Sequence, residues 1–309
     1  MLKIKSYKKM ESEKRMKFEE GKIYFFICYA LVCGGKSTFF EQIQAQTTTE
    51  ENKNKYNVKL VSSDQIRADL SHEMQKNNPE MTFKQCFDKL AKETAKEFDR
   101  QIKLAIDSKE GNKINIILVD KNYPQGIDKF LKLFCEDKAT QYFIVFIPNI
   151  VKPLEIGNLW FPFSLDYFIQ CYLRLKNRHG HEVLNGEDEQ SKFVYISFLK
   201  LFKDFDFYSN ISYDQNYSSN VFIQTIDFTD ESKEMEIDPD TQKFFENVIR
   251  KIKPFDMEKI KKYNEKDINE YFKIVEDKYD GKNFFEDTRE KIKNEVNDLL
   301  TNGIVVYNE

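Results

Sequence analysis

The chain has 309 residues, enough for a sizeable core and one or two domains. Charged residues make up 32%, and the signs nearly cancel at a net -4. That balance marks neither a nucleic-acid nor a membrane partner globally, so any nucleic-acid site must be a local patch. Five cysteines (28, 33, 86, 135 and 171) form no C-x-x-C pair. They read as free thiols in a reducing compartment, cytoplasm or nucleus. The N-terminus is charged rather than apolar, and no uninterrupted apolar run is long enough to span a bilayer. No signal peptide and no membrane span are therefore expected.

In chain order, residues 1–21 are rich in Lys and Glu and read as a charged tail. Residues 22–30 form the first expected strand and 36–47 the first helix. Between them lies Ala30-Leu31-Val32-Cys33-Gly34-Gly35-Lys36-Ser37-Thr38. This is the second half of the phosphate-loop pattern G-x-x-x-x-G-K-[ST], with Ala30 at its first glycine. A loop that opens a helix presents unpaired backbone N–H groups to phosphate oxygens. Gly34 and Gly35 let the backbone come close, Lys36 reaches the terminal phosphates, and Ser37 can ligate Mg²⁺. A chance GGKST in a Lys-rich chain is the bland alternative, but the flanking strand and helix oppose it. Ala30 tolerates fewer backbone conformations than Gly. Cys33, inside the loop, is either a small filler or a thiol of lowered pKa.

Residues 58–64 read as a short strand ending in a polar cluster, followed by helices over 65–76 and 82–108. Residues 114–120 are a mostly apolar strand with an acid at its end. Residues 126–136 look helical, and 141–148 read as another buried strand. A helix is expected over 165–178, another over 191–206, and a last strand over 221–228. Beyond an acidic run, 241–302 are charged helices, and GIVVY near the end is a small strand. Alternation of helices with near-continuous apolar strands means an α/β fold: a three-layer parallel sheet with helices on both faces. The expected division is a tail over 1–21, a phosphate-loop domain over 22–228 and a charged helical extension over 229–309.

Ligands on such sheets bind outside the carboxyl ends of the strands. Asp64 falls at the end of the second strand, one helical turn before Arg67. It can take a proton from an acceptor hydroxyl or cap the helix. Arg67 could hold a phosphate of that acceptor. Asp120 and Asn122 lie at the end of the third strand; Asp120 suits Mg²⁺ or water positioning, or a plain turn. Asp227 reads as structural. Arg174 and Arg178 share a helix face, four residues apart, ahead of His179 and His181. Two arginines over a phosphate loop would stabilise charge on a migrating phosphoryl group. Cations at a helix C-terminus also answer the helix dipole.

Taken together, GGKST, VSSDQIR, LVDKNYP and CYLRLKNRHGHEVLNG resemble the kinase domain of plant- and fungal-type tRNA ligases. That domain belongs to the polynucleotide 5′-kinase family of phosphate-loop phosphotransferases. The resemblance spans about residues 22–228. Fungal members also carry Ala at the loop's first position. The resemblance implies a role in RNA repair, with ATP or GTP and Mg²⁺ as cofactors and RNA 5′-hydroxyl ends, such as tRNA halves, as acceptors. A separate ligase or larger assembly would be the partner. It implies that Lys36 and Ser37 bind nucleotide phosphate and Mg²⁺; by the loop motif Gly34, Gly35 and Thr38 join them at the nucleotide, and by its strand-end position Asp120 is a candidate second metal ligand. Asp64 would be the general base, Arg67, Asn122 and His181 would contact the acceptor, and Arg174 and Arg178 would be lid arginines. The Pro common after the lid His is Glu182 here. The family's phosphodiesterase and ligase activities look absent: no H-x-[ST] pair exists, and Lys278-Tyr279-Asp280-Gly281 leaves too little chain for a ligase domain. Two other readings stay open, a non-catalytic scaffold subunit and a small-molecule kinase.

Overall fold

The structure, a computed structural model, describes residues 14–122, 127–148, 154–156, 159–161, 163–178, 220–226 and 286–306, with scattered positions between them. The strands are β1 (Lys14–Met16), β2 (Ile23–Cys28), β3 (Tyr56–Ser62), β4 (Ile114–Asp120), β5 (Gln141–Pro148), β6 (Leu154–Ile156), β7 (Leu159–Phe161), β8 (Val221–Ile226) and β9 (Ile304–Val306). The helices are α1 (Lys36–Thr47), α2 (Ser63–Asn77), α3 (Phe83–Lys89), α4 (Ala91–Asp107), α5 (Asp128–Phe134), α6 (Leu165–Lys176) and α7 (Glu286–Asn302).

Five strands form one sheet in the order β3-β4-β2-β5-β8, and every pairing is parallel. Side chains of β2 and β5 such as Phe25, Phe26, Ile144 and Val145 are fully buried, as strands covered on both faces require. The core is largely aromatic. Phe25 stacks on Phe143 at 4.7 Å, while Phe146 meets Phe26 and Phe39 edge-on. At the sheet edge, β3 exposes Lys59 and Leu60.

The chain leaves β2 toward β3 on one side, then crosses from β4 to β5 on the other side of β2. Right-handed crossovers in opposite directions put α1 on one face and α4 and α5 on the other. They also make the carboxyl end of β2 a topological switch point, where open α/β sheets bind ligands.

Two expectations change. The single helix over 82–108 is two, because Leu90 leaves the helical conformation (φ -94°, ψ 11°) with its side chain buried. Its carbonyl accepts from both the backbone N and the Oγ1 of Thr94, starting α4 afresh. Thr82 opens α3 with a capping box to Gln85.

The chain ends also join the core. The expected tail carries β1, which pairs antiparallel with β9, Lys14 opposite Val306. Gln224 of β8 binds Val305 reciprocally, donating to its carbonyl at 2.7 Å and accepting from its N–H at 3.1 Å. Ile292, Val296, Leu299, Leu300 and Ile304 belong to the main hydrophobic cluster. Helix α7 lies against α1, and Tyr56 donates to the Leu300 carbonyl at 3.1 Å. The end of the expected extension therefore packs on the helix that starts at Lys36.

Candidate active site

Residues 29–35 turn sharply between the last residue of β2 and the first of α1. The Tyr29 N–H donates to Phe146 of β5, fixing the loop's entry, and Gly34 N–H closes a turn onto Leu31 O at 2.9 Å. Gly35 sits at φ 94°, where a side chain would be strained. At Gly34 a Cβ would stand 2.3 Å from the Tyr167 hydroxyl and 2.8 Å from Leu31 O. Both glycines are thus required, one by conformation and one by space.

Ala30 raises no conflict. Among the described residues the sole non-glycine with positive φ is Cys33, at 59°. The residue under backbone constraint in this loop is Cys33, not Ala30.

Lys36 forms an ion pair with Asp120 Oδ1, both side chains largely shielded from solvent. The other Asp120 oxygen accepts from Ser62 Oγ at 3.0 Å, and the Asp120 carbonyl accepts from Ser63 Oγ at 3.3 Å. Asp120, at the end of β4, therefore joins the start of α1 to the β3–α2 junction. Ser37 is exposed in the first turn of α1, and Thr38 is half-buried. Beyond Asp120, the Asn122 Oδ1 is buried and has no hydrogen-bond partner among the described residues.

Asp64 is exposed in the first turn of α2. The cap of α2 is Ser62, whose Oγ accepts from Gln65 N at 3.4 Å, so the capping role proposed for Asp64 belongs to Ser62. The Asp64 carboxylate projects from the helix that begins beside Asp120. Arg67 donates from Nε to Phe87 O at 2.8 Å and lays its guanidinium over the Phe87 ring at 3.9 Å. Burial lowers its pKa from the ordinary value, while the charges of Asp88 and Asp64 oppose that shift.

Helix α6 comes down on the loop from the other side. Ser164 caps it, and Tyr167 donates to Gly34 O at 3.2 Å. Arg178, just past the helix end, reaches Cys33 Sγ at 3.8 Å. Burial pushes the Cys33 thiol up, while the charges of Arg178 and Arg174 pull it down without overcoming burial. The thiol is thus not activated. Arg174 donates to Thr288 Oγ1 of α7 at 3.4 Å. Arg178 thus stands at the loop, and Arg174, bound to α7, is near enough for its charge to act on the Cys33 thiol. His181, His179, Asp227 and the Lys278–Gly281 string lie outside the described residues.

The residues that sequence reasoning missed are Tyr167, Ser62 and Thr288. Tyr167 and Thr288 carry no motif. Ser62 could have been found from the Ser62-Ser63-Asp64 run, in which the first serine proved to be the cap.

No family model and no curated protein matches the chain. Among solved structures, a fungal RNA kinase is 12% identical, with a TM-score of 0.40, covering 84% of this chain and 99% of its own. A structure from the PezAT chromosomal toxin–antitoxin system of the human pathogen Streptococcus pneumoniae is also 12% identical. Its TM-score is 0.36, over 83% of this chain and 89% of that one. These are distant likenesses. The α/β architecture rests on the chain's own parallel sheet, its switch point and the Gly35–Lys36 helix opening.

Proposed function

We propose that the chain is a phosphotransferase that moves the γ-phosphate of ATP or GTP to the 5′-hydroxyl end of RNA. The observation that supports this reading is the Lys36–Asp120 pair at the switch point, with Ser62 and Ser63 at the start of α2 bound to Asp120 and Arg178 reaching Cys33 in the glycine loop. The loop N–H groups and Lys36 would hold the nucleotide phosphates. Asp64 would accept the proton of the acceptor hydroxyl, and the two arginines would stabilise charge on the phosphoryl group in flight.

The Ser37 hydroxyl and Asp120 carboxylate are hard oxygen donors of the kind Mg²⁺ takes. Among the described residues no cluster of three or more His, Cys, Asp or Glu side chains forms a cage. The remaining ligands would come from nucleotide phosphate and water, as is usual for Mg²⁺. The bound ion would neutralise phosphate charge. Asn122, with its buried acceptor atom, and His181 are proposed acceptor contacts.

One observation favours a second reading. Arg67 is engaged by Phe87, which suits an acceptor lacking a phosphate next to its hydroxyl, such as a small molecule. Transfer of labelled γ-phosphate to a 5′-hydroxyl oligoribonucleotide, compared with a nucleoside, separates the two. Labelling of the oligonucleotide alone supports the RNA reading. Labelling of the nucleoside alone overturns it. No labelling of either, with nucleotide still bound, points to a scaffold subunit.

A further inference from the structure

The chain's C-terminal segment reaches the arginine-bearing end of α6 at three points. Glu276 Oε1 accepts from the Tyr172 hydroxyl at 2.7 Å, and its Oε2 pairs with Lys176 Nζ at 3.6 Å. Phe272 stacks on the Tyr172 ring at 4.0 Å. Thr288, itself buried, accepts from Arg174 Nη2 at 3.4 Å. Tyr172 and Lys176 flank Arg174 at two residues on either side, so Glu276 clamps the helix turn from which Arg174 projects. Thr288 sits on α7, and α7 also packs on α1, the helix that begins at Lys36. One segment thus touches both halves of the phosphate site.

We propose that the C-terminal segment is a working part of the site: Thr288 is a positioning residue that aims Arg174 at the phosphate loop, and Glu276 holds the turn beneath it. An arginine side chain has many rotamers, and fixing one costs entropy. A buried hydroxyl acceptor that spends this cost before the nucleotide arrives preorganises the guanidinium for the charge that develops in transfer. The argument rests on the phosphotransferase reading, and in particular on Arg174 acting on the phosphoryl group.

The test uses the full chain with Thr288→Val, which keeps shape but removes the acceptor, and Thr288→Ser, which restores it. Turnover is read both as transfer to a 5′-hydroxyl oligoribonucleotide and as ATP hydrolysis without acceptor, and thermal melting checks folding. Thr288→Val should lower kcat about tenfold with nucleotide KM nearly unchanged, the pattern of an interaction used only in the transition state. Thr288→Ser should recover most of it. In an Arg174→Ala background Thr288→Val should cost nothing further, because the residue it aims is gone. Glu276→Gln should lower kcat in the same sense.

Unchanged kcat in Thr288→Val, additivity with Arg174→Ala, or no recovery by Ser would overturn the positioning role while leaving the kinase reading intact. A wild-type chain that hydrolyses ATP but labels no RNA overturns the acceptor reading, and the positioning role is then judged on hydrolysis. A wild-type chain with neither activity overturns both.

Discussion

Lys36, the first residue of α1, and Asp120, the last of β4, are paired across the mouth of the sheet. The lysine that would reach nucleotide phosphates is held by a carboxylate that is itself fixed by Ser62. Lys36→Ala should therefore abolish nucleotide-dependent turnover, by roughly 10²-fold or more, since it removes a charge aimed at the transferred group. Steady-state kinetics at saturating nucleotide measures this, and wild-type turnover would remove the phosphate-loop assignment.

Asp64→Asn tests the proposed base separately from binding. It keeps size and, because Ser62 supplies the cap, leaves the start of α2 undisturbed. The rate should fall on the order of 10²–10⁴-fold with nucleotide affinity retained. Near wild-type transfer would move the base elsewhere, Asp120 first. On the RNA reading Arg67→Ala should instead raise the KM of acceptors that carry a phosphate beside the 5′ nucleoside; an unchanged KM would favour the small-molecule reading that the Phe87 contact suits.

Gly34→Ala should impair nucleotide binding more than global folding. The added methyl collides with the Tyr167 hydroxyl and the Leu31 carbonyl, and one of these is backbone that cannot swing away. Combining it with Tyr167→Phe relieves one clash and removes a hydrogen bond worth about 0.5–1.5 kcal/mol. Nucleotide titration of the single and double variants should show partial recovery in the double. Full affinity in Gly34→Ala alone would mean that the loop relaxes freely.

A chain ending at residue 285 should be poorly folded. It loses Ile292, Val296, Leu299, Leu300 and Ile304 from the core, each worth about 1.5–3 kcal/mol when fully buried. That sum rivals the roughly 5–15 kcal/mol by which whole domains are stable. It also strips β1 of its partner β9. A cooperative melt near that of the full chain would show that the kinase-like unit stands alone.

Cys33 should be slow to alkylate at neutral pH despite two nearby arginines, because burial raises its pKa and keeps it a thiol. The rate should climb only as pH passes above the ordinary thiol range. Arg178→Ala removes a charge that lowers this pKa, so it should shift the profile to still higher pH. Iodoacetamide labelling across pH, read by mass spectrometry, measures both shifts.

Much of this was legible in the chain itself. The apolar runs at Ile23–Cys28, Ile114–Asp120 and Gln141–Pro148 announced buried parallel strands, because burial on both faces removes the alternation of a half-exposed strand. Gly35-Lys36-Ser37 announced the loop, because only glycine readily supplies its backbone conformation. The apolar run ending in an acid announced Asp120 at the end of β4, whereas Asp64, expected at the end of a strand, lies in the first turn of α2 because Ser62 ends β3 and caps that helix.

Other features needed the folded chain. The break at Leu90 is hidden because its periodicity reads straight through, and a buried side chain overrode the continuous helix. That Cys33, not Ala30, takes the left-handed backbone conformation depends on how Gly34 closes on Leu31. The joining of β1 to β9, and of Thr288 to Arg174, links residues more than a hundred positions apart. Local sequence encodes which segments are strands and helices, through periodicity and backbone preference. Which distant side chains complete each other's hydrogen bonds is decided only when the folded chain brings β1, β9 and α7 against the core.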